Sequence, residues 1–423
     1  MHPTVTRTIR VVGLSLAACL LCAPPAAAQP AANDPDPAPA PDPGTGTASD
    51  LDRAARLELT RPFYGPRAIS PDAPPLAEAR PPALPGLPGS SLRIGGNMQF
   101  LFINNARDRD DDDNDGFTNG TQFRRLRLVF SGKLDDRVGF KIETEGAGGD
   151  FGLLEAWISY QLTERWRIRA GQFKNGFNRI RSTSSTRTQL VDRPVLSSEI
   201  QPQPSNRTQG IEAQYLDDTQ RFIASFNEGS SGVNTSFTED EQDFAFTLRY
   251  DRSLAGSIDH LTYLSSPPGS DFGALVGAAF HFQDGENNTG NRIAWNTDFS
   301  LMGDGWSIHG AYLGHSAEDL NAQGEPEIIN AFYVQGGVFV SPTVELVARY
   351  EHALTSADDD ELSIALAGIN WFVYGRALKL STDVTYAFQP VSSTFARTND
   401  GLLVDDTGND GQISWRVQFQ LLF

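Results

Sequence analysis

Ile413-Ser-Trp415-Arg-Val417-Gln-Phe419-Gln-Leu421-Leu-Phe423 alternates apolar and polar residues as far as Leu422. Successive residues of a strand face opposite ways, so one face carries Ile, Trp, Val, Phe, Leu and Phe and the other Ser, Arg, Gln and Gln. Such a strand puts one face in a dry medium and the other in a wet one. A soluble sheet satisfies that condition too, but a strand that runs outward to a final aromatic residue fits the closing strand of an outer-membrane barrel.

The other end of the chain agrees. Arg7 and Arg10 precede the apolar run Val11 to Leu21, and Ala26-Ala27-Ala28 follows before Gln29, the layout of a secretory signal peptide spanning residues 1–28. Leu16-Ala17-Ala18-Cys19 resembles a lipoprotein cleavage site, yet the apolar run continues through Leu20 and Leu21, which favours cleavage after Ala28. Both cysteines, Cys19 and Cys22, would then leave with the signal, and disulfides and thiolate metal sites with them.

Only 39% of the 423 residues are hydrophobic, and no second apolar run approaches the roughly 20 residues of a spanning helix. Membrane crossing is therefore left to a closed barrel. Lys and Arg number 34 against 53 Asp and Glu; without Arg7 and Arg10 the balance is 32 against 53, or −21. That acidity disfavours nucleic acid as a partner. Residues 29–90 are rich in Pro and Ala without sustained periodicity and read as a disordered or extended periplasmic spacer.

Over residues 91–423 the period is two, and sixteen candidate strands follow: 92–104, 121–132, 137–145, 153–161, 166–173, 209–217, 220–228, 242–251, 273–283, 292–302, 305–315, 329–340, 343–352, 361–373, 376–388 and 411–423. Short and long connections alternate, as periplasmic turns and external loops do. The exception is 252–272, a long connection on the short side that has room for a further strand. Charged residues must face the lumen, because an Arg facing lipid at mid-membrane costs roughly 2–4 kcal/mol. The expected wall includes Arg125, Arg127, Lys141, Arg167 and Arg169 with Glu143, Glu145 and Glu155, while Trp295, Trp306 and Trp415 take outward parity, where aromatic girdles belong.

Sixteen strands enclose more space than wall side chains fill, so the lumen should hold water. The longest loop, 174–208, carries Lys174, Arg179, Arg181, Arg187, Arg193 and Arg207 against Asp192 and Glu199, a balance of +4. Its neighbours are acidic; residues 105–120 hold six Asp against two Arg. Folded inward, the basic loop would bring guanidinium groups to a constriction with low-dielectric walls and attract anions. Left outside, it would meet acidic loops or lipopolysaccharide phosphates.

The run Leu154-Glu-Ala-Trp157-Ile-Ser-Tyr160, then Arg169-Ala-Gly171-Gln172-Phe173-Lys174-Asn-Gly-Phe177, Ser184-Ser185 and Asp192-Arg193-Pro194 resembles the phosphate-selective porin family, porin O/P, most closely over residues 137–195. The resemblance implies a sixteen-stranded homotrimeric outer-membrane channel of a Gram-negative bacterium. It also implies a loop after the fifth strand folded into the pore and basic residues guiding phosphate-type anions, with Lys174, Arg179 and Arg181 carried over from their place beside Gly-Gln-Phe-Lys. Asn175-Gly176 follows the lysine where the family commonly has proline.

Asp111, Asp113 and Asp115 before Gly116 resemble the opening of a calcium loop, but Gln122 stands where a closing Glu belongs. The missing Glu favours a solvated acidic loop, one that bridges lipopolysaccharide through divalent cations, over a calcium site. His260, His281, His309, His315 and His352 show no metal-ligand spacing, and no Gly-x-Ser-x-Gly elbow is present. Two other readings stay open: a structural or adhesin-type barrel anchor, and a barrel lipase assembled across strands.

Overall fold

In the computed structural model the described residues are 89–107, 116–199, 206–229, 242–285, 291–320, 326–356, 361–393, 395–397, 400–405 and 411–423. The signal segment, nearly all of the spacer, and Asp111, Asp113 and Asp115 lie outside them. Sixteen antiparallel strands close into one barrel: β1 Ser91–Arg107, β2 Phe117–Lys133, β3 Val138–Glu145, β4 Gly152–Gln161, β5 Trp166–Lys174, β6 Arg207–Leu216, β7 Gln220–Asn227, β8 Gln242–Ala255, β9 Gly273–Gly285, β10 Arg292–Gly303, β11 Trp306–Leu320, β12 Pro326–Ser341, β13 Val344–Thr355, β14 Glu361–Arg376, β15 Leu378–Ala387 and β16 Gln412–Leu422. Each expected strand has its counterpart. Several run past their expected ends toward the long loops.

Closure is made by β1 and β16, paired from Asn97↔Leu422 to Arg107↔Gln412. The Gly96 N–H donates to the Phe423 carbonyl at 2.8 Å, and a Cβ on Gly96 would collide with the Phe423 ring and the Arg127 carbonyl. Parity follows the alternation in the sequence. Ile413, Trp415, Phe419, Leu421 and Phe423 are exposed on the outside, and Ser414, Arg416, Gln418 and Gln420 are buried within. Trp306 shares the outer face, and Trp157 is buried inside beside Glu155.

The connection after β8 holds no extra strand among the described residues. Gly256, at φ +74° where a Cβ would meet the Phe272 carbonyl, turns the chain into a short helical turn, Ile258–Thr262, capped by Ser257. The segment then enters the barrel. His309 Nε2 lies 2.6 Å from the Leu264 carbonyl, Ser265 Oγ donates to Glu345 at 2.9 Å, and Leu264 is buried.

The lumen is not uniformly polar, which corrects the expectation of an evenly polar wall around water. Inward positions of β11–β15 include Leu313, Ala331, Val347, Leu362, Ile364 and Leu366. They pack against Ile180, Leu190, Val195 and Leu196 of the loop after β5 and against Val391, Phe395 and Leu402 before β16. A sheet with lipid on one face and packed side chains on the other is buried on both, and β14 accordingly reads as an almost unbroken apolar run, Ile364-Ala-Leu-Ala-Gly-Ile369.

The register makes a paired expectation. Phe419→Arg should cost about 2–4 kcal/mol by placing a cation in lipid, and should reduce the heat-modifiable folded band on gels. Gln418→Arg, one residue away on the inner face, should leave that band intact. Equal loss in both variants would contradict the register.

Candidate functional site

The loop after β5 is built to cross the barrel. Asn175 bends it by accepting the Phe177 N–H at 2.8 Å and donating to Thr247 Oγ1 at 3.0 Å. Asn178 caps a single helical turn, Arg179–Ser182, and Ser184 caps the next, Ser185–Arg187. Both turns are too short to persist alone, so wall contacts must fix them. The Phe177 carbonyl accepts from Arg249 and Asn296, each at 3.1 Å. Farther on, Gln189 donates to Ser307 and Glu345 and accepts from Gln335, and the Val191 N–H donates to Asp383 at 2.9 Å. Leu196 N–H reaches Glu351 at 3.1 Å.

One ion cluster ties the loop to β2. Asp192 receives Arg124 Nη2 at 2.7 Å and Arg125 Nη2 at 3.0 Å. Adjacent strand residues ordinarily face opposite ways, but the pairing of β1 with β2 slips between Gln99 and Phe100, matching Gln99 to Arg125 and Phe100 to Phe123. Arg124 is the extra residue of this bulge and joins Arg125 on the inner side. Burial alone would raise the Asp192 carboxyl, but the guanidinium groups of Arg124, Arg125 and Arg193 hold it well below the usual carboxylate range. Arg193 in turn donates to the Ile180 carbonyl at 2.9 Å, and Arg349 donates to the Asp192 and Arg193 carbonyls.

The residues singled out in the sequence fall into three groups. Lys174, Arg181 and Arg193 meet the wall residues Arg125, Arg127 and Lys141, together with Arg124 and Arg207, in one charged region. Arg127 pairs with Glu145 at 2.7 Å and Glu143 at 3.3 Å, Lys141 with Glu143 at 2.7 Å and Glu155 at 2.9 Å, and Arg207 lies 3.8 Å from Glu155. Among the described residues, eight basic side chains there face Glu143, Glu145, Glu155, Asp192 and Asp400, five carboxyls, a formal excess of three.

Arg179 and Arg187 lie elsewhere. Arg179 is buried against β10 and β11, 3.3 Å from Asp298 and 3.2 Å from His309 Nδ1. Arg187 donates to the Thr262 carbonyl at 3.2 Å and lies over the Tyr263 ring. Arg167 and Arg169 sit lower on β5. Arg169 pairs with Glu212 at 2.8 Å and stacks 4.3 Å from the Phe173 ring centroid, and Arg167 donates to Gln214.

Reading residues alone misses Arg124, because a bulge is invisible to a strict period of two. Parity puts Glu345 and Asp383 on the inner face, but it does not show their loop partners: Gln189 meets Glu345 and the Val191 N–H meets Asp383, at separations of 156 and 192 residues. No cluster of metal-ligating side chains occurs among the described residues.

The family model described as phosphate-selective porin O and P matches residues 92–389. Among solved structures, an anion-selective porin from Comamonas acidovorans superposes with a TM-score of 0.54 at 13% identity, covering 79% of this chain and 100% of that one. The outer membrane channel DcaP of Acinetobacter baumannii gives 0.52 at 13% identity, covering 81% and 100%. OmpT of Vibrio cholerae in a trimer form gives 0.51 at 10% identity, covering 78% and 99%. No curated protein is similar enough in sequence to be matched.

The Asp192 clasp has a signed pH dependence. A depressed carboxylate stabilises the folded state above its unfolded pKa, near 3.9, and that stabilisation is lost as pH falls through the lower folded value. The loop's anchoring through Asp192 should therefore persist from neutral pH down to about 4 and be lost only in stronger acid, read as protection of the loop from proteolysis. Asp192→Asn, which leaves the buried Arg125 and the half-buried Arg124 without their carboxylate, should weaken loop anchoring by about 3 kcal/mol and raise conductance at neutral pH. Unchanged conductance in that variant would contradict the clasp.

Proposed function

The chain belongs to the phosphate-selective porin O and P family of outer-membrane porins, and from that premise we propose that it passes small anions, phosphate among them, with the inward loop 174–208 setting the constriction. Passage is diffusion down a gradient and needs no cofactor or covalent step. The observation that carries the reading is the sign of the charge inside. A chain with a formal net charge of −19 gathers, among the described residues, a formal excess of three basic side chains where its loop meets β2–β6.

The mechanism follows from where water is left. Apolar packing occupies the β11–β15 side of the lumen, so solvent is directed to the opposite side, bordered by the half-buried Lys174 and Arg181 with Arg207 behind them. Protein walls of low dielectric strengthen the field of those groups on an entering anion. The neighbouring glutamates keep the attraction from becoming a trap, since conduction needs a site that also releases its ion. The wall cations Arg125, Arg127 and Lys141 shape this field; Arg179 and Arg193 act by holding the loop.

The same reading makes residues 1–28 an export signal, 29–90 a periplasmic spacer, and the working unit a homotrimer in a Gram-negative outer membrane, its outer rim against lipid and lipopolysaccharide. A barrel serving only as an anchor would share the packed half of the lumen, and the absence of open channels in a bilayer would favour it.

Two measurements test the selectivity. Lys174→Glu and Arg181→Glu should each lower the chloride-to-potassium permeability ratio severalfold while leaving the folded trimer intact. Millimolar phosphate added to a chloride bath should reduce the current, and the reduction should be weaker in both variants. Permeability ratios that ignore these substitutions would sink the assignment of selectivity to this region.

A further inference from the structure

One carboxylate beside the inward loop comes from a distant part of the chain. Asp400 lies in the segment before β16, and its neighbours there fix where it stands. The Arg397 carbonyl accepts the Asp400 N–H at 2.9 Å and the Leu402 N–H at 3.1 Å, the Gly401 carbonyl accepts Asn105 Nδ2 at 2.7 Å, and Leu402 is fully buried. Gly401, at φ +77°, passes so close to Ser414 that a Cβ there would collide with the hydroxyl. Asp400 itself is buried.

Its direct ion pair is shared. Arg416 Nη1 lies 3.0 Å from Asp400, but the same guanidinium grips Asp383 through Nε at 2.7 Å and Nη2 at 3.0 Å. Two carboxylates thus divide one cation, and the two-point contact gives Asp383 the better share. Around Asp400 stand Asp192 and Arg181 of the loop after β5, Arg124 of β2, and Arg349 and Glu351 of β13. Burial and the nearby Asp192 carboxylate push the Asp400 carboxyl above its ordinary value, against the pull of Arg416, Arg124 and Arg349. Asp192 is buried too, but Arg124 and Arg125 clasp it and hold it low. Of these two neighbours, Asp400 takes up a proton first.

We propose that Asp400 is a specificity-determining residue of the channel: ionised, it offsets one of the basic side chains beside the inward loop, and its protonation in mild acid releases that charge and strengthens the preference for anions. The proposal rests on anion passage past Lys174 and Arg181. Among the described residues, eight basic side chains against five carboxyls become eight against four. Walls of low dielectric carry the change to the solvent-filled side.

The test measures the chloride-to-potassium permeability ratio of the full-length protein in a planar bilayer at neutral pH and at about pH 4, a window in which Asp192 stays ionised. The unmutated channel should become more anion-selective in acid by about two- to fourfold, the scale of one unit charge felt through a partly screened lumen. Asp400→Asn, which keeps the shape and still accepts from Arg416, should show the higher ratio already at neutral pH and no further rise in acid. A neutral-pH ratio that the substitution leaves unchanged, or an acid response that persists in the variant, would overturn the role of Asp400. Should the variant fail to insert, the unmutated channel decides alone, and a ratio that stays flat between the two pH values overturns the proposal. Cation preference of the unmutated channel at neutral pH would instead contradict anion passage itself, so the two failures are distinguishable.

Discussion

Closure of the sheet by β1 and β16 is the constraint on which the rest depends. Lipid offers no partner to a bare backbone N–H or carbonyl, so a strand-built protein can cross it only with every edge paired. The ladder from Asn97↔Leu422 to Arg107↔Gln412 removes the last edge. Once the sheet is closed, alternation decides everything else, because each side chain faces either lipid or lumen. Charge is thereby forced inward, and the inward charges must find one another. Arg416 with Asp383, Arg249 with Asp251 and Asp298, and Lys141 with Glu143 and Glu155 are the outcome.

A sixteen-stranded wall leaves more space than those pairs can fill; among the described residues, the segment before β16 takes part of it with Val391, Phe395 and Leu402, and two further connections meet in the middle. The loop after β5 crosses from Asn175 to the far wall at Asp383 and Glu351, and the segment after β8 rises to Leu264 and Ser265. They converge on Glu345, which accepts from both. Part of the lumen has become a packed core, with Leu190, Leu196 and Leu264 against Leu313, Ile364 and Leu366. Removing the loop would expose apolar side chains and buried carboxylates together, so its position is fixed by the same physics that holds an ordinary protein interior. The field beside it inherits that rigidity.

Much of this was legible in the sequence because the bilayer enforces it. All sixteen strands follow from a period of two, and the faces of β16 follow from Trp415, Arg416, Phe419 and Gln420. Beyond the bilayer that enforcement ends, which is why β2 begins at Phe117 rather than 121: Thr118 and Asn119 pair without any apolar alternation to announce it. The sign of the long loop was readable from its arginines. The partners of those arginines were not, since Arg179 meeting Asp298 and Arg187 meeting Thr262 depend on how the chain crosses a space. Arg124 was hidden for a narrower reason, a single bulge that turns a lipid-facing position inward. The apolar inner face of β14 stood in plain view as Leu362, Ile364 and Leu366, a departure from polar-in alternation that signals a packed rather than a wet lumen.

The central claim is that the protein's inner field is opposite in sign to its net charge. The reversal potential of the unmutated channel under a potassium chloride gradient reads that field directly. A potential displaced toward the chloride equilibrium value is the predicted result. Displacement toward the potassium value would contradict the account while leaving the barrel itself untouched.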